Sequence, residues 1–118
     1  HTVGHALESY FLSKNTKLLH GYAIAQGMII ESYISYKNNL LNLENYNEIK
    51  RFIISIYSQI KLSEYELNSL INLMTNDKKN ELPKISFTLL NAIGDAVFDQ
   101  YLSKDETKKL MLDFIENG

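Results

Sequence analysis

Apolar positions recur along most of this chain at helical spacing, with one short stretch at strand spacing. A first helix is predicted from about Thr2 to Leu12, closed by a turn at Asn15-Thr16. His20 and Gly21 open a second helix, and from Tyr22 to Ile30 nearly every residue is apolar or small, the pattern of a helix buried on most sides. Within it Ala23 and Gly27, one turn apart, leave room for another backbone; if the first two helices pack there, His5 and His20 converge across the contact. A third helix carries the stripe Ile49, Phe52, Ile53, Ile56 and Ile60 on its core side, opposite Lys50, Arg51 and Ser58. The fourth starts at Ser63, where Ser63 and Glu66 form a capping box and Leu62 with Leu67 a hydrophobic staple, and it buries Leu67, Leu70, Ile71 and Met74.

The period changes after Asn76. Residues Asn76 to Pro83 are polar and rich in breakers, and Ile85, Phe87 and Leu89 then alternate with Ser86 and Thr88, which predicts a short strand. Asn91 to Gly94 turn the chain and Ala96 to Phe98 return as its partner, before a last helix that begins at a Ser103/Glu106 capping box and runs to about Ile115. The expected fold is mainly α, a multi-helical single domain over residues 1–118 with a short two-stranded β element.

Composition narrows the function classes. A hydrophobic fraction of 45% with one proline and five glycines excludes a disordered or fibrous chain. The absence of cysteine excludes disulfides and thiolate metal sites, and neither a signal peptide nor a membrane-spanning run is visible, so a cytoplasmic location is expected. A net charge of -2 with intermixed lysines and acids gives no cationic footprint for nucleic acid. Apart from Arg51, the 12 basic residues are all lysine, which leaves little of the bidentate recognition that arginine provides.

The candidate chemistry lies in the three histidines. His1 and His5 are four residues apart, so on a helix their imidazoles leave the same face, and with His20 they could form part of a metal site that keeps a position open for substrate or water. Such a pair also arises by chance on helix surfaces. The zinc-protease pattern His-Glu-x-x-His is absent, since Thr2 stands where the general base belongs. Lys78 and Lys79, where a helix gives way to a loop, read by themselves as solvated cations complementing a helix C-terminus.

The words around those residues are more specific. The run His1-Thr2-Val3-Gly4-His5-Ala6-Leu7-Glu8, then Leu18-Leu19-His20-Gly21 and Ala23-Ile24-Ala25-Gln26-Gly27-Met28, resembles the C-terminal domain of the 3-dehydroquinate synthases. Further on, Asp77-Lys78-Lys79-Asn80, Ile85 to Leu90 and Ile93-Gly94 resemble the same family's Asp-Lys-Lys and Leu-Leu-x-x-Ile-Gly segments. The chain departs from the pattern at Tyr22, where the family commonly has a glutamate able to orient a metal ligand by hydrogen bonding to it.

That resemblance implies an enzyme converting 3-deoxy-arabino-heptulosonate 7-phosphate to 3-dehydroquinate and phosphate, a step toward aromatic amino acids. Family members use NAD transiently with a divalent metal, zinc or cobalt, and are commonly homodimers. It also implies roles for single residues: His1 and His20 as metal ligands, His5 as the hydrogen-bonding and proton-transfer partner of the substrate, and Lys78 or Lys79 as a cation near its carboxylate or phosphate. The third metal ligand, a glutamate, and the NAD site belong in that family to a preceding nucleotide-binding domain. No Gly-rich phosphate loop occurs in this chain, so it is expected to be silent by itself. Another NAD- and metal-dependent sugar-phosphate cyclase or polyol dehydrogenase, and a helical interaction module without chemistry, are the alternatives.

Overall fold

The structure, a computed structural model, describes residues 2–14, 19–75, 84–92 and 94–118. Its elements are α1 (Thr2–Ser13), α2 (His20–Lys37), α3 (Leu43–Ile56), α4 (Glu64–Thr75), β1 (Lys84–Ala92), β2 (Asp95–Ser103) and α5 (Lys104–Asn117). The mainly helical architecture with one two-stranded sheet is the one expected from the periodicity.

Helix α2 is the central element, packed against α1, α3, α5 and β1. This explains its lack of a single apolar stripe: Ala23, Ile29, Ile30, Tyr33 and Ile34 are all buried, on several sides. The α1 contact is the tightest. A Cβ added to Gly27 would stand 2.6 Å from the Gly4 nitrogen, and one added to Gly4 would stand 2.7 Å from Ile24 Cδ1, so the two backbones meet where neither residue has a side chain.

Buried Gln26 does a different job on the same helix. Its Nε2 donates to the Ser58 carbonyl at 2.6 Å and its Oε1 accepts from the Ile60 amide at 2.9 Å, which fixes the connection between α3 and α4 to the core. Both ends of this amide are thereby satisfied at a site only 1% exposed, as a buried polar group requires.

Helix α3 corrects the sequence reading. Only Ile53 of its stripe is buried and Ile49 is partly so, whereas Phe52 is 66% and Ile56 61% exposed. The helix ends at Ile56, because Tyr57 is extended, and Ile60 therefore belongs to the following connection. The physical reason is that, among the described helices, α3 makes substantial contact with α2 alone, so no described element covers the other flank of its stripe. Its N-terminus is capped by Asn42, whose Oδ1 accepts from the Asn45 amide at 2.7 Å.

The capping box of α4 is formed reciprocally: the Glu66 amide donates to Ser63 Oγ and the Ser63 amide to Glu66 Oε1. Leu62 and Leu67 on either side of it are both buried. Ser103 ends β2 and caps α5 by accepting from the Glu106 amide at 3.1 Å, so strand passes into helix with no loop between.

The hairpin is longer than predicted on its return side, running on from Phe98 to Ser103. Its strands pair antiparallel, with Ile85 opposite Leu102, Phe87 opposite Gln100 and Ala92 opposite Asp95, and two register shifts interrupt the ladder. Gly94 makes the turn at φ +84, a left-handed conformation that glycine adopts without strain. Ile85, Phe87 and Leu89 lie on the buried face as their alternation predicts. Ser35 fastens the sheet to α2: its hydroxyl accepts from the Leu90 amide and donates to the Glu31 carbonyl.

Candidate metal and substrate site

The glycine contact between α1 and α2 determines which residues can meet at their edge. His5 follows Gly4 directly, and His20 is the first residue of α2, preceded by extended Leu19. Their imidazole centroids are 6.4 Å apart with ring planes inclined by 30°. Both rings are exposed, so the cluster opens to solvent.

Glu8 completes the group from α1, three residues beyond His5 and therefore on the same face. Its Oε1 lies 3.0 Å from His20 Nδ1. An ionised carboxylate only accepts, so the ring nitrogen facing it is the donor, and in a neutral imidazole the other nitrogen, Nε2, then keeps its lone pair. Imidazoles held in this way suit a borderline divalent metal, whose histidine ligands commonly donate their second nitrogen to a carboxylate.

Glu31 holds the start of α1 from α2. Its Oε1 accepts from the Val3 amide at 3.2 Å, satisfying one of the first-turn N–H groups that a helix leaves unpaired. Burial raises its carboxyl above the ordinary range, and the Val3 bond opposes that rise. Tyr22, in the place of the family glutamate, is half-buried and packs edge-on against Tyr57 with centroids 6.1 Å apart. An open groove of about 660 Å³ flanks the cluster, walled by His20, Ile24, Met28, Ile49, Phe52 and Ile56 among others.

His1, Lys78 and Lys79 lie outside the described residues. Of the expected site, the structure therefore brings together His5 and His20. Among the described residues no three His, Cys, Asp or Glu side chains are arranged to hold a metal. The His20 imidazole, oriented by the Glu8 carboxylate, fits one position of a larger ligand set, with the His5 ring beside it. Sequence reasoning missed Glu8 and Glu31. Glu8 was accessible through its spacing of three from His5, whereas the reach of Glu31 to α1 depends on helix packing.

The family described as 3-dehydroquinate synthase C-terminal matches residues 1–80. A 3-dehydroquinate synthase of Picrophilus torridus is 40% identical over 112 residues, covering 94% of this chain and 31% of that enzyme. One of Parabacteroides distasonis is 37% identical over 106 residues, covering 90% of this chain and 30% of that enzyme. The chain thus spans about a third of the length of these relatives. Among solved structures, a 2-deoxy-scyllo-inosose synthase complexed with carbaglucose-6-phosphate, NAD+ and Co2+ has the same fold, with a TM-score of 0.71, 20% identity, and coverage of 94% of this chain and 31% of that one. The matched segment contains His5, Glu8, His20 and the Gly4/Gly27 contact that gathers them, and the chain belongs to the 3-dehydroquinate synthase C-terminal family.

Proposed function

We propose that this chain is the metal- and substrate-binding C-terminal domain, residues 1–118, of an enzyme that converts 3-deoxy-arabino-heptulosonate 7-phosphate to 3-dehydroquinate and phosphate. The observation that carries the reading is the meeting of His5 and His20 at the α1/α2 edge, within the segment that matches the family. His20, with His1, holds a divalent metal, zinc or cobalt, and His5 exchanges a proton with the substrate. Lys78 or Lys79 provides positive charge for its carboxylate or phosphate. The metal supplies Lewis acidity toward the oxygen on which negative charge develops. NAD and the remaining ligand come from the other two-thirds of the parent, which works as a homodimer in the cytoplasm without nucleic acid or membrane. No helix among the described residues is long and apolar enough to cross a membrane.

Two histidine variants of the full-length parent test these roles. His20→Ala loses bound metal and turnover together, while His5→Ala keeps its metal and slows by roughly 10²–10⁴-fold, the usual size of a general acid–base contribution. Undiminished metal and rate in the His20 variant would contradict the ligand assignment, and metal loss in the His5 variant would mean that His5 is itself a ligand. Tyr22 keeps a second reading open, a related sugar-phosphate cyclase. Phosphate release by the parent from the heptulosonate phosphate, set against release from a hexose 6-phosphate, separates the two.

A further inference from the structure

We infer that Glu8 is a positioning residue for metal binding: its carboxylate sets the tautomer and ring orientation of His20, so that His20 presents Nε2 to the metal. The inference rests on the proposed reading of His20 as a ligand. It is carried by the 3.0 Å contact between Glu8 Oε1 and His20 Nδ1 and by the origin of the two groups on different helices. The carboxylate is delivered by a rigid element, since α1 is locked to α2 one turn earlier, where Gly4 meets Gly27, and is anchored beside it by fully buried Leu7.

As a stabilising ion pair this contact has little value. The two side chains are 36% and 64% exposed, and pairs of that kind are screened by water. As a tautomer lock it has a specific consequence, because fixing the hydrogen on Nδ1 leaves one nitrogen able to coordinate. Tyr22, which follows Gly21, packs against Tyr57, and the acidic partner of His20 comes from α1.

The test is Co2+ binding to the metal-stripped full-length parent, measured by competition with a chromophoric chelator and by the cobalt absorption spectrum. Glu8→Ala weakens Co2+ binding by about 10–100-fold, the usual effect of removing an outer partner, and alters the spectrum, while the melting temperature stays near that of the wild type. Glu8→Gln, whose amide oxygen still accepts from Nδ1–H, recovers part of the affinity. Wild-type affinity in Glu8→Ala, with binding lost in His20→Ala, overturns the role of Glu8 and leaves the ligand reading intact. Undiminished binding in His20→Ala overturns both. Ring-nitrogen NMR of the metal-free parent at alkaline pH provides a check without any substitution: the expected species has His20 protonated at Nδ1, and protonation at Nε2 overturns the inference.

Discussion

Replacing Gly27 by alanine puts a methyl group where the structure leaves no room for one. The new Cβ would stand 2.6 Å from the Gly4 nitrogen, 3.0 Å from its Cα and 3.4 Å from the Val3 carbonyl carbon. All three atoms are backbone, so no rotamer change relieves the contact, and α1 must retreat by roughly 0.8 Å to restore ordinary packing distance. Overpacking of this kind costs about 1–3 kcal/mol, and the rigidity of the obstacle places it toward the upper end. Alanine returns about 0.8–1 kcal/mol through its better helix propensity, so the net destabilisation is about 1–2 kcal/mol. Thermal unfolding of the full-length parent measures it. Gly21→Ala is the control, because its Cβ would lie 3.7 Å from the Tyr57 hydroxyl, an ordinary contact. The displacement also carries His5 away from His20, and a misplacement approaching 1 Å lowers turnover by up to about 100-fold. A Gly27→Ala enzyme as stable and as fast as the wild type would show that α1 and α2 do not meet at these glycines, and the account of how the histidines are gathered would fall with it.

Two further outcomes follow from the packing around α2. Gln26→Leu keeps the volume but strips the Ser58 carbonyl and the Ile60 amide of their partner, and is expected to cost about 2–3 kcal/mol, read as a lower urea midpoint at unchanged slope; a cost below about 0.5 kcal/mol would contradict the bridging role. Asp113 is held below its ordinary carboxyl value of 3.8, chiefly by the Tyr33 hydroxyl that donates to it and further by Asn117 and Lys37. Because its folded value is the lower one, its stabilisation is present above about 3.8 and lost as pH falls through the folded value. The stability difference between wild type and Asp113→Asn should therefore shrink on acidification below that point, and a difference that stays constant with pH would show that the carboxylate has no such linkage.

Local signals in the sequence defined most of the elements because each depends on near neighbours in the chain. The Ser63/Glu66 box starts α4, Ser103 with Glu106 starts α5, and the alternation of Ile85, Phe87 and Leu89 sets the buried face of β1, all readable within a few residues. The histidine words identified the family for a similar reason, since residue types and their spacing are written directly in the chain. Even the convergence of His5 with His20 was implied once a small-residue face on α2 was recognised.

What the chain alone left undetermined were the long-range choices. Periodicity shows that Phe52 and Ile56 share a face with Ile53, but whether another layer covers that face depends on where distant elements pack, and here Phe52 and Ile56 remain exposed beside His20. Local alternation carries the return strand only to Phe98, whereas its pairing continues to Ser103, because its extent follows the length of the opposing strand. Gln26 looks like one polar residue in an apolar run until the α3–α4 connection arrives to take both ends of its amide. Likewise Glu8 becomes the partner of His20 only when α1 is laid against α2. Sequence determined which groups each helix can present; tertiary packing decided which of them meet, because hydrogen bonds and burial between residues far apart in the chain exist only after the backbones have been brought together.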